Sequence, residues 1–292
     1  MSIPMNSTCI ACRVERITNT VSKLGDDAQT TAFLKAWMAM AAAYPADMDS
    51  ARCGYYTDRL IEKFYGVDPA DAMQADKKAS NAFVLERIGK IRSRIQAESD
   101  PVFAGLQYAV LGNYLDFAAL AGKVSYEELD NMLDTYKNFR LDRETVTAFA
   151  ADLERAKNLL IFTDNAGEIV FDRVLAEVLQ ERYPQLTITF CVRGKPVAND
   201  ATREDAREAG IEFPVIDSGN AVGGMDFSLL SPEAEKALKE ADVILAKGMG
   251  NTESMFGCGY NVYYAFLVKC KRFEEVFRAA PMQAMFVKER RN

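Results

Sequence analysis

The sequence predicts a mixed α/β chain, an all-helical N-terminal part joined to a three-layer α/β/α part with a mainly parallel sheet. Two observations predict it. Through residues 1–157 apolar side chains recur at helical spacing with no strand-like alternation. From 158 to 292 the period changes, and short β-type runs alternate with helical segments. With 49% of 292 residues hydrophobic, the chain can bury a sizeable core, and its two parts are expected to pack as one body with a cleft between them.

The elements follow in order. Thr31 to Met40 carries a helical apolar pattern that stops near Pro45. Ser50 to Tyr65 is a second helix, with Gly66 as its C-cap. A long charged-and-apolar segment runs from Asp68-Pro69 to Ile95. Pro101 opens an apolar helix through Val110, Leu111, Leu115 and Phe117 that ends near Gly122. Ser125 with Glu128 gives a capping-box pattern for the next helix, and Asp142 to Lys157 supplies the last. Then come strands at 158–163, 186–192, 213–217 and 241–246, with helices at 168–183, 202–209 and 231–240 between them. Such alternation implies right-handed crossovers and a parallel sheet. The region from Gly257 to Phe277 reads as one more helix, and 282–287 as a final strand.

Composition narrows the function. A net charge of −7 and a pI near 5.0 argue against nucleic acid as a partner. No segment approaches the roughly 20 apolar residues of a membrane span, so a cytoplasmic location is expected. Six cysteines in a chain this long do not make a disulfide scaffold. Histidine is absent, which removes the Ser-His-Asp and Cys-His mechanisms and the usual zinc-hydrolase ligand sets. The chemistry must run on carboxylates, amides, lysines, cysteines or a metal.

Polar residues gather at the carboxyl ends of the candidate strands, the rim where open α/β sheets bind ligands. The first strand delivers Asp164 and Asn165, with Glu168 and Asp172 at helical spacing behind them. Asp164-Asn165 is either an Asx cap before a helix or a pair of hard oxygen ligands for a divalent cation, and Asp200 on the next loop favours the cation. An aspartyl-phosphate nucleophile usually has a second acid two residues on, where Ala166 stands here, so Asp164 reads as a ligand. The fourth strand leads into Lys247, Gly248, Gly250, Asn251 and Glu253. Lys247 with its glycines reads as an anion clamp or as a plain strand-end turn. Asn113 and Asp116 sit in an apolar helix at a spacing that shares one face, which borders the cleft and touches substrate or is simply a satisfied polar pair. Cys9 and Cys12 are a second metal site or a pair of buried thiols where a helix begins.

Together these residues resemble the DUF89 family, the metal-dependent, ARMT1-like damage-control phosphatases, in its archaeal and bacterial branch. The resemblance rests on Cys9-Ile-Ala-Cys12, Gly66-x-Asp68-Pro69 with Lys77 and Ser80-Asn81, and Gly112-Asn113-x-x-Asp116. It continues through Thr163 to Asp172, Asn199-Asp200-Ala201-Thr202, Lys247-Gly248-Met249-Gly250-Asn251-x-Glu253 and Lys269-Cys270. It implies that residues 158–292 bind metal and phosphate. Asp164, Asn165 and Asp200 are the implied metal ligands, Lys247 the phosphate contact, and Mg, Mn, Co or Ni the supporting cation. The implied activity is hydrolysis of phosphate monoesters, either sugar phosphates or damaged phosphometabolites. On this reading Asp164, Glu168 and Lys247 serve the catalysis, with Glu168 or Asp172 orienting water or acting as base. The alternatives are a Rossmann-like methyltransferase, which lacks its glycine-rich loop here, and a non-catalytic protein that binds metal or a phosphometabolite.

Overall fold

The computed structural model describes residues 2–117, 119–120 and 124–289. Among them, the helices before the first strand are α1 (Ser7–Val21), α2 (Asp27–Ala42), α3 (Ser50–Tyr65), α4 (Gln74–Leu85), α5 (Ile88–Gln96), α6 (Pro101–Gly112), α7 (Tyr126–Asp134) and α8 (Arg143–Arg155). Local chemistry sets their starts. Asp26, Asp49, Asp100 and Asp142 each accept a backbone N–H at the head of α2, α3, α6 and α8. The remainder runs β1 (Asn158–Phe162), α9 (Glu168–Arg182), β2 (Thr187–Val192), α10 (Arg203–Glu208) and β3 (Val215–Asp217). It continues with α11 (Pro232–Glu240), β4 (Val243–Lys247), α12 (Gly248–Met255), β5 (Val262–Leu267), α13 (Lys271–Phe277) and β6 (Ala284–Lys288).

The sheet order is β3-β2-β1-β4-β5-β6, parallel except for β6, which runs antiparallel to β5. It is the predicted three-layer arrangement. Alternate residues of each strand serve opposite layers, because successive side chains point to opposite faces. Ile161, Phe190, Leu245 and Tyr263 join a core with Leu106 of α6 and Leu175 of α9. Leu160, Ile244 and Tyr264 join a second core with Leu238, Met255 and Phe273 of α11, α12 and α13. A third core closes α1, α2 and α3 around Phe33, Trp37 and Ile61. The strand order reverses between β1 and β4, so the loops after these two strands diverge and leave a crevice.

Several elements differ from expectation. The stretch 257–277 is not one helix: β5 and α13 divide it. Val262 to Leu267 is apolar throughout and buried on both faces, and an apolar run without alternation carries no period to separate strand from helix. The segment 68–95 breaks into a 3-10 turn, α4 and α5. The helix from Pro101 ends at Gly112 with Asn113 as its C-cap, ahead of Leu115 and Phe117, while Gly122 lies outside the described residues. Asn113 and Asp116 therefore do not share a helix face. At α7 only half of the expected capping box forms, since Glu128 accepts instead from the Tyr114 hydroxyl at 2.7 Å.

Candidate active site

The crevice is built from the end of β1 outward. Gly167 turns the chain into α9 at φ 76°, and a side chain there would strike Leu115 and Ser80. Its N–H donates to Asn81 Oδ1 at 2.6 Å. Two backbone bonds stitch the next loop alongside: Ala201 N–H to the Asp164 carbonyl at 2.7 Å, and Ala166 N–H to the Asn199 carbonyl at 2.9 Å. Asn165 and Asp200 pair through an isolated β-bridge. This stitching sets Asp200 beside Asp164, with 6% and 5% of their surfaces exposed.

The two carboxylates are half-engaged. Asp164 Oδ2 accepts from Asn113 Nδ2 at 3.0 Å and Asn165 Nδ2 at 2.8 Å. Asp200 Oδ2 accepts from Arg193 Nε at 2.7 Å. Asp164 Oδ1 and Asp200 Oδ1 accept no hydrogen bond among the described residues. Burial raises the pKa of Asp164 well above the usual range; Asp200, Glu168 and Asp116 add to the rise and Lys269 opposes it. Burial also raises Asp200, against the pull of Arg193. Two acids that share one guanidinium, each with an oxygen outside any hydrogen bond, remain short of positive charge.

A divalent cation fits that shortage. No three histidine, cysteine, aspartate or glutamate side chains cluster as metal ligands among the described residues, so a site here needs the Asn165 amide beside its two carboxylates. That amide oxygen accepts from Asn199 Nδ2 at 3.0 Å and keeps a second lone pair. Carboxylate and amide oxygens are hard donors of the kind that suit such cations.

Behind this pair lies a dry ionic cluster. Lys247 is fully buried, and its Nζ donates to Glu168 Oε1 at 2.7 Å, Asp172 Oδ1 at 2.8 Å and the Ala109 carbonyl at 2.8 Å. Burial works against its charge, yet Asp172 and Glu168 prevail and hold its pKa above the lysine range. Burial pushes Asp172 up to about 7 against the pull of Lys247. An ammonium has three donors and these are all engaged, so Lys247 has none left for the phosphate expected of it. Glu168 and Asp172 are likewise fully buried, which removes them as bases facing water.

A family model described as the damage-control phosphatase ARMT1-like domain matches residues 5–281. The chain belongs to that family. A damage-control phosphatase of Pyrococcus horikoshii is 28% identical over 266 residues, 90% of this chain and 89% of its own length. A damage-control phosphatase of Archaeoglobus fulgidus is 31% identical over 206 residues, 68% of either chain. The crystal structure of a DUF89 family protein from P. horikoshii superposes with a TM-score of 0.83 at 24% identity, covering 98% of this chain and 99% of that one. At that identity the likeness speaks for the fold.

The other residues singled out as family features divide between crevice and scaffold. Asn113 is a hub: its Nδ2 reaches Asp164 and Glu168, its Oδ1 accepts Leu267 N–H at 3.0 Å, and its carbonyl accepts Lys269 Nζ at 2.7 Å. Asp116 pairs with Lys269 Nζ at 2.7 Å. Gly248, at φ 78°, lets α12 begin against Asp164, since a β-carbon there would overlap its carboxylate. Gly250 packs tightly on Gly223. Asn251 is consumed by scaffold bonds to Thr163 O, Lys247 O and Arg193 Nη1. Glu253 faces Asp49, Arg13 and the Ala51 N–H at the head of α3, away from the Asp164–Asp200 pair. Cys12 is exposed and Cys9 half-buried, so the expectation of two buried thiols fails, and both are free.

Sequence reasoning missed Arg193 and Lys269 as site residues. Arg193 follows β2 and spans the pair, bonded to Asp200 and with Nη2, which makes no hydrogen bond, 3.7 Å from Asp164 Oδ1. Its position at a strand end was the available signal. Lys269 follows β5, and reading that strand as helix hid it.

Proposed function

We propose that this protein is a phosphatase that hydrolyses phosphate monoesters of small metabolites, with a divalent cation held by Asp164, Asn165 and Asp200. The observation that carries this reading is the pair of free carboxylate oxygens at the switch point of the sheet, with Lys269 close enough to oppose the rise in the Asp164 pKa. Family membership supports the reaction class, and the Pyrococcus and Archaeoglobus relatives carry that name. A cation bound there supplies Lewis acidity toward a phosphate oxygen; an oxygen-rich site accepts Mg, Mn, Co or Ni.

The protein's own residues do the rest. Lys269 is buried but keeps one donor beyond its bonds to Asp116 and the Asn113 carbonyl, and that donor holds a phosphate oxygen as a point charge. Asp116, whose side chain keeps 14% of its surface exposed, is the carboxylate that orients the attacking water. Arg193 fixes Asp200, and its free Nη2 adds positive charge behind Asp164. Six free thiols suit a reducing, cytoplasmic setting, and no described helix is long and apolar enough to cross a membrane.

The test is phosphate release from p-nitrophenyl phosphate by metal-stripped protein, restored in parallel with Mg, Mn, Co and Ni. Metal-dependent turnover is expected. Folded protein that turns over with none of them sinks the proposal and favours a role limited to binding.

A further inference from the structure

Resting on the cation site proposed above, we infer that Lys247 is a positioning residue for that site, acting through Glu168 on the Asn165 amide and never touching phosphate. The three engaged donors of Lys247 exclude a substrate contact. What they hold is more telling. Glu168 Oε1 takes the lysine, while Glu168 Oε2 accepts Asn165 Nδ2 at 2.7 Å and Asn165 N–H at 3.3 Å. Asn113 Nδ2 bridges both Glu168 oxygens and Asp164 Oδ2, at 3.2, 3.0 and 3.0 Å. One carboxylate therefore orients both amides that flank Asp164.

The consequence concerns which end of Asn165 is available. An amide presents donors on one side and an acceptor on the other. With its NH2 group claimed by Glu168 and Asp164, Asn165 must turn its oxygen to the opposite side, toward Asn199. Only the oxygen can bind a cation. Glu168 serves this purpose as a fixed acceptor, and its position is fixed by Lys247, whose Nζ holds the other carboxylate oxygen at 2.7 Å. Lys247 also ties the Ala109 carbonyl of α6 to the end of β4, so the N-terminal part of the chain helps hold the site in register.

Calorimetric titration of chelator-treated protein with Mn2+, alongside inhibition of the Mn2+-saturated enzyme by inorganic phosphate, separates this role from a phosphate clamp. Lys247→Met and Glu168→Gln are expected to weaken Mn2+ binding by about 10–100-fold, the usual loss when a group orienting a metal ligand is removed. Phosphate inhibition should stay within about twofold of wild type in both. Lys269→Met should do the reverse. Asp172→Asn keeps the Lys247–Glu168 bond, and Mn2+ affinity within about threefold of wild type is expected; a loss as large as that of Lys247→Met would mark general damage to the core and overturn the inference. So would Lys247→Met that binds Mn2+ like wild type, or that weakens phosphate inhibition as much as Lys269→Met. If Lys247→Met does not fold, Glu168→Gln decides alone, and wild-type Mn2+ affinity there overturns the inference. A wild-type protein that binds no Mn2+ at all fails differently, taking the cation site itself.

Discussion

Lys247 ends β4 and Lys269 follows the neighbouring β5, and both side chains are buried and ion-paired, yet their donors are spent differently. Lys247 points beneath the crevice, where two carboxylates and a carbonyl use every donor it has. Lys269 lies across the crevice, where it opposes the rise that burial and neighbouring acids cause in the Asp164 pKa and spends two donors on Asp116 and the Asn113 carbonyl. The difference teaches that a lysine at a strand end becomes a ligand-binding cation only when the surrounding acceptors leave it unsatisfied. Helix α9 supplies two carboxylates to Lys247, whereas Lys269 meets one, Asp116, and keeps a third donor.

The largest effect should come from the carboxylates between the two lysines. Asp164→Ala or Asp200→Ala is expected to lower kcat for p-nitrophenyl phosphate by about 10³-fold, since a positioned cation contributes several kcal/mol. Without metal, Asp164→Ala should hold or raise the melting temperature, because it relieves repulsion from Asp200 and Glu168. Asp200→Ala should lower it by leaving buried Arg193 without its partner. Full metal-dependent turnover by Asp164→Ala would break the comparison at its centre.

Lys269→Met sharpens the same contrast. Losing a charged hydrogen bond of about 1.5–3 kcal/mol should raise both KM and the inhibition constant for phosphate by about 10–100-fold. An unchanged KM would return the phosphate to some other cation. Next comes Gly248→Ala, which places a β-carbon in the Asp164 carboxylate and a side chain at φ 78°. Thermal melts should show about 1–3 kcal/mol of destabilisation together with lost turnover, and a neutral result would mean that α12 does not abut Asp164.

Glu253 provides a control, since neither lysine bonds to it. Burial, with Asp49 beside it, pushes its pKa from 4.5 up to about 8. Between those values the folded state keeps a proton that the unfolded chain has lost, so this group's contribution to stability falls as pH rises through the window. Glu253→Gln should melt like wild type near pH 4 and higher than wild type at pH 8. Equal melting temperatures at both would refute a raised pKa. Smallest of all, exposed Cys12→Ser should shift stability by no more than about 0.5 kcal/mol in a denaturant titration.

Much of this was legible in the chain itself. Leu159 to Phe162 could be read as a buried strand because four apolar residues in a row suit a parallel strand covered on both sides. Asp164 and Asn165 could be read as crevice residues because the end of such a strand lies on the binding rim. The 3.6-residue period of the N-terminal helices and the acidic caps before α2, α3, α6 and α8 are local signals of the same kind. Patterns of period 2.0 and 3.6 report on neighbours a few residues away, and that is where the sequence by itself decided the outcome.

Tertiary structure decided the rest. The partners of Lys247 on α9 lie 79 and 75 residues away, and Asp116 lies 153 residues from Lys269. No spacing rule connects such groups. Strand β5 was hidden for a related reason: Val262 to Leu267 is apolar on both faces because layers from distant parts of the chain cover it. A long flexible lysine takes its direction from the acceptors that packing brings within reach, so its role could emerge only once α9, β4 and β5 were assembled side by side.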